Sequence, residues 1–90
     1  MRTISEKSVP AELRLTNRFQ RSFERLDKSV RKRVRESMSE LAGNPHLGKP
    51  LKGELSGEWS LRIGEYRVLY TIDKNIIWLE TVRHRRESYR

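Results

Sequence analysis

Cysteine is absent from this chain, which excludes disulfide staples and thiolate metal sites and fits a reducing compartment. Long hydrophobic runs are missing too. No apolar stretch approaches the roughly 18 residues needed to cross a bilayer, and Met1 to Pro10 holds no segment of signal-peptide type. A cytoplasmic protein with no membrane role is the default expectation. Aspartate occurs only as Asp27 and Asp73, each placed to cap a helix or make a turn, and no carboxylate cluster is apparent. Metal-dependent nuclease chemistry therefore lacks a visible ligand set, and the expectation is that no metal and no cofactor take part.

What is abundant is positive charge. The net charge is +8 over 90 residues, with 36% of them charged, and the pI is near 10.4. A mean hydropathy of −0.85 leans toward disorder. The apolar residues are nevertheless strongly periodic, so the chain reads as one folded domain with a charged surface. A domain this short buries only about 60–65% of its unfolded surface, so its core is thin. The excess charge sits in two places. Residues 18 to 36 carry a local +5 and residues 83 to 90 a local +3, which together make up the whole surplus. Such a balance points to a polyanionic partner, nucleic acid or the ribosome.

Residues 1–11 read as a loose extension and 12–90 as the domain. Leu13 and Leu15 alternate with polar neighbours up to Thr16, as in a short strand. Thr16 or Asn17 can cap a helix whose apolar face is Leu15, Phe19, Phe23 and Leu26. Asp27 offers a second cap, and Val30, Val34, Met38 and Leu41 continue the periodicity until Gly43-Asn44-Pro45 ends it. A glycine-punctuated loop spans residues 46 to 57. Three strands are predicted after it: Trp59 to Ile63, Tyr66 to Ile72, and Ile76 to Val82, the last apolar on both faces and so placed inside the sheet. Tight turns make them antiparallel neighbours. The order β-α-α-β-β-β predicts an α+β fold, a helical hairpin on one face of a small, mainly antiparallel sheet. The other face has no helix to cover it. Arg62 points opposite to Leu61 and Ile63, and Arg67 opposite to Val68 and Tyr70, so the open face is lined with arginine and is the functional candidate.

Several segments carry a resemblance. Pro50-Leu51-Lys52-Gly53, Leu55-Ser56-Gly57, Trp59-Ser60-Leu61-Arg62-Ile63, Tyr66-Arg67-Val68-Leu69-Tyr70 and the closing His84-Arg85-Arg86 with Tyr89 resemble the RelE/ParE superfamily of toxin–antitoxin toxins. The likeness covers roughly residues 12 to 90 and implies the fold just described. It also implies a cognate acidic antitoxin, in heteromeric complex with the toxin, and one of two activities. RelE-like members enter the ribosome and cut mRNA, whereas ParE-like members poison gyrase without cutting RNA. A degenerate toxin kept as an antitoxin-binding module is a third reading.

For the RelE-like activity, the resemblance implies a catalytic set of Arg62, Arg67, Arg85 and Tyr89. In metal-free cleavage a 2′-hydroxyl attacks the phosphorus, a base and an acid move protons, and cations hold the added charge. Arginine suits the last task because its fork matches phosphate oxygens. Ser60 stands where the best-known members carry a lysine proposed to assist proton transfer, and Arg62 cannot act as a base. His84 is the expected replacement, since imidazole gives or takes a proton near neutral pH. Lys49, Lys52, Lys28, Arg31, Lys32, Arg35, Arg83 and Arg86 are the expected contacts to mRNA or rRNA.

Overall fold

The computed structural model describes residues 10–86. The elements run β1 (Glu12–Leu15), α1 (Asn17–Glu24), α2 (Lys28–Gly43), β2 (Lys49–Pro50), a short 3₁₀ turn (Gly53–Leu55), β3 (Glu58–Ile63), β4 (Tyr66–Asp73) and β5 (Ile76–His84). The strands form one five-stranded sheet in the order β1-β5-β4-β3-β2, antiparallel except for the parallel pair β1–β5. Two helices on one face of a mixed sheet give the α+β architecture that the periodicities predict. Two details differ. The loop over residues 46 to 57 contributes an edge strand and a 3₁₀ turn. Ala11, assigned by sequence to the extension, is buried, and its N–H donates to Ala42 O at 2.7 Å. The extension from 1 to 9 and the residues from 87 on lie outside the described residues.

Alternation along the strands sorts the side chains. Val68, Tyr70, Ile77, Leu79 and Val82 turn toward the helices and meet Phe19, Leu26, Val34 and Leu41 in a single core. Leu15, which the helical spacing groups with Phe19, belongs to β1 and stays 43% exposed. Thr16 is the N-cap of α1. Its Oγ1 accepts the Phe19 N–H at 3.0 Å and donates to Glu80 O at 2.9 Å, so one hydroxyl starts the helix and fastens it to β5. Ser22 makes the second attachment. Opposite the Leu69/Tyr70 step, β5 carries an extra residue, a β-bulge, and beyond it Val82 N–H donates to Ser22 Oγ at 3.1 Å.

The turn after β3 needs Gly64, whose φ of +60° lies in the left-handed region. That glycine also lies against the Arg33 guanidinium of α2, about 3.0 Å from where a Cβ would stand. No helix among the described residues is long and apolar enough to cross a membrane.

Candidate active site

The register across three strands places Arg62 of β3 directly opposite Arg67 of β4, and Arg67 directly opposite Arg83 of β5. Arg62 and Arg67 leave the sheet on the face away from the helices, because their neighbours Ile63 and Val68 are buried on the other side; parity from buried Val82 sends Arg83 the same way, and Arg83 also borders the cleft along β5. Directly opposed like charges are unfavourable in a sheet. A row of three guanidiniums is therefore a poor solution for stability and a good one for a polyanion. Arg83, expected from sequence to contact mRNA or rRNA, pairs with Arg67 in the register of the row. Arg85 follows at the end of β5. Its N–H donates to Glu65 O at 2.7 Å and its Nε lies 3.1 Å from Glu65 Oε1, which fixes it over the β3–β4 turn.

Beside the row lies a depression of about 390 Å³ between β2 and β3, with Arg62, Arg67, Ser60, Lys49 and Leu51 in its wall. Lys49 pairs with Ser60 in the antiparallel register and so shares the open face with Arg62, two residues along β3. The floor beneath it is tightly set. Tyr70 is completely buried, donates its hydroxyl hydrogen to Pro45 O at 2.9 Å and accepts the Gly48 N–H at 3.0 Å. Burial raises the Tyr70 pKa above the usual tyrosine range, a rise that the Gly48 N–H partly opposes. Gly48 has no room for a side chain, since a Cβ there would stand 2.6 Å from Ser60 O.

His84 is not brought to this site. It pairs with Tyr66, their rings meet edge to face at 5.2 Å, and both lie on the helix side of the sheet. Its Nδ1 accepts the Arg86 N–H at 3.2 Å. His84 instead helps line a larger cleft of about 690 Å³ along β5, walled on the α1 side by Arg18, Arg21 and Arg25. Tyr89 lies outside the described residues.

The remaining expected contacts divide. Lys28, Lys32 and Arg35 are exposed on α2, across the sheet from the arginine row, with Arg35 over the Phe23 ring at 5.9 Å. Arg31 is engaged structurally. Its guanidinium donates to Leu26 O at 2.7 Å and so caps the C-terminal end of α1. Lys52 and Arg86 are exposed, at the start of the 3₁₀ turn and after β5. Among the described residues no group of His, Asp and Glu side chains is arranged to hold a metal ion.

The family model described as "ParE toxin of type II toxin-antitoxin system, parDE" matches residues 13–89. The chain is 35% identical over 86 residues to Toxin RelG of Mycobacterium tuberculosis, which covers 91% of this chain and 99% of that protein. The toxin–antitoxin complex RelBE2 of the same organism contains a chain that superposes with a TM-score of 0.80 at 35% identity, covering 84% of this chain and 99% of that one. The isolated RelE toxin of E. coli, at 18% identity and a TM-score of 0.70, shares the fold over 82% of this chain and 83% of its own. With the arginine-faced sheet and these matches together, the chain belongs to the ParE toxin family of type II toxin–antitoxin systems, within the RelE/ParE superfamily.

Proposed function

We propose that this toxin is a ribosome-dependent endoribonuclease that cuts mRNA by metal-free attack of a 2′-hydroxyl on the adjacent phosphate. The observation that carries the reading is the row Arg62–Arg67–Arg83 beside a depression sized for part of a nucleotide. The row supplies fixed cations where a phosphorane gathers charge, and one such donor is worth about 10²–10³ in rate. Arg85 stands at the end of the row, and Tyr89 retains its sequence-based role, stacking on a splayed base or handling a proton. Because His84 faces the helices, we leave it out of the proposed phosphate site.

The chain's partner is an antitoxin, as in the RelBE2 complex to which it is similar, and its basic surfaces call for an acidic one. The cleft walled by Arg18, Arg21 and Arg25 gives an acidic segment a second basic surface.

A second reading, a non-nucleolytic gyrase inhibitor, is favoured by the ParE description of the matching family and by Ser60 in the depression. Induction in cells followed by 5′-end mapping of transcripts separates the two. Cuts inside translated codons, lost in Arg67→Ala, are expected. Growth arrest with intact mRNA and trapped gyrase–DNA complexes would sink the ribonuclease reading.

A further inference from the structure

Cleavage by 2′-hydroxyl attack needs a proton for the departing 5′-oxygen, and the arginine row cannot provide it, since guanidinium does not deprotonate in proteins. His84 is on the other face, with Nδ1 held by the Arg86 N–H. Among the described residues lining the depression, the polar side chains are Lys49, Ser60, Arg62 and Arg67. An ammonium is the one group of that set that releases a proton readily, because a serine hydroxyl is far too weak an acid.

Lys49 is also held in place. It opens β2, pairs with Ser60, and follows Gly48, whose N–H is bound by the buried Tyr70 hydroxyl. Leu51 N–H donates to Glu58 O at 2.8 Å on the far side of Pro50, so the backbone is tied down before and after the lysine. A long side chain on a fixed base, beside Arg62 and Arg67, can reach a phosphate lying on the row.

Resting on the ribonuclease reading, we propose that Lys49 is the proton donor to the leaving group. As the O2′–P bond forms, O2′ gives its proton to water. The P–O5′ bond breaks with its electron pair on O5′, and the Lys49 ammonium delivers one proton there. The amine is reprotonated from solvent, leaving a 2′,3′-cyclic phosphate and a 5′-hydroxyl.

The test is single-turnover cleavage of mRNA on purified programmed ribosomes at saturating toxin. Two substrates are compared: a normal scissile linkage, and one with sulfur replacing the bridging 5′-oxygen. A thiolate leaves without being protonated. Lys49→Met should slow the normal substrate by about 10²–10⁴-fold, the usual range for acid catalysis. It should leave the sulfur-bridged substrate within a few-fold of wild type. Lys49→Arg keeps the charge but cannot release a proton, so it should bind ribosomes normally and cleave the normal substrate as poorly as Lys49→Met.

Equal slowing of both substrates by Lys49→Met, or rescue of the normal substrate by Lys49→Arg, would reduce Lys49 to a phosphate contact and overturn the assignment. Wild-type rates in both variants would overturn it as well. In each of those cases wild-type toxin still cleaves; a wild type that cuts neither substrate instead brings down the ribonuclease reading, and the Lys49 assignment with it.

Discussion

Tyr70 shows how a single buried residue can serve the site without touching it. Its ring fills the core, while its hydroxyl holds Pro45 O and Gly48 N–H and so sets the loop that presents Lys49. Tyr70→Phe keeps the ring but leaves those two backbone groups without their partner, at a cost of about 1–3 kcal/mol. The effect depends on pH in a defined direction. Because the folded pKa of Tyr70 is raised by burial, the unfolded chain gives up that proton first. The stabilisation is whole below pH about 10, the ordinary tyrosine value, and fades as pH climbs toward the folded pKa. Thermal melts from pH 8 to 11.5 should show the gap between wild type and Tyr70→Phe narrowing above pH 10; a gap that widens would contradict the burial. At this scale the sequence shows the alternation that sends Arg62 and Arg67 to one face and Tyr70 to the other. It does not show where the Tyr70 hydroxyl ends, since Pro45 is brought there by tertiary packing.

Among the elements, the three central strands account for both the strength and the strain of the site. The row Arg62–Arg67–Arg83 sets like charges opposite one another, and opposed charges in a sheet destabilise it. Removing the outermost exposed charge with Arg62→Ala should therefore raise stability at low salt, by up to about 1 kcal/mol, while lowering cleavage. The gain should shrink in molar salt, where screening shortens to about 3 Å. Denaturant unfolding at two salt concentrations reads this, and a variant that is less stable at low salt would show that repulsion is not what the row costs.

The elements differ in legibility. α1, α2 and the three long strands follow from their periodicity, because each buries a stripe along one side; Thr16 caps α1 as expected, whereas Asp27 stands at the start of α2 without a side-chain hydrogen bond to it. β2 is two residues long, too short for alternation to register, and it pairs only because Gly48 lets the backbone close on Ser60. The bulge in β5 leaves no compositional trace either; Ser22, three residues past Phe19 on α1, satisfies the Val82 N–H released there. His84, expected from sequence in the catalytic set, is turned toward the helices by strand parity continued from Val82.

For the whole molecule, the sheet separates the basic side chains of the described residues onto two surfaces. The open face carries Arg62, Arg67, Arg83 and Lys49, fit for a scissile phosphate. The other side has Arg18, Arg21 and Arg25 at its cleft and Lys28 and Lys32 on α2, away from the depression that Lys49, Arg62 and Arg67 line. Composition announced a polyanionic partner but could not separate these surfaces, because that division exists only once the helices choose a face.

The central claim about this molecule is that its open face cuts RNA. The most direct measurement is end analysis of mRNA incubated with purified toxin and programmed ribosomes. A 2′,3′-cyclic phosphate facing a 5′-hydroxyl inside the codon, formed by wild type and about 10²–10³-fold more slowly by Arg67→Ala, is the predicted result. Uncut mRNA at saturating wild-type toxin, or cleavage unchanged by Arg67→Ala, would contradict it.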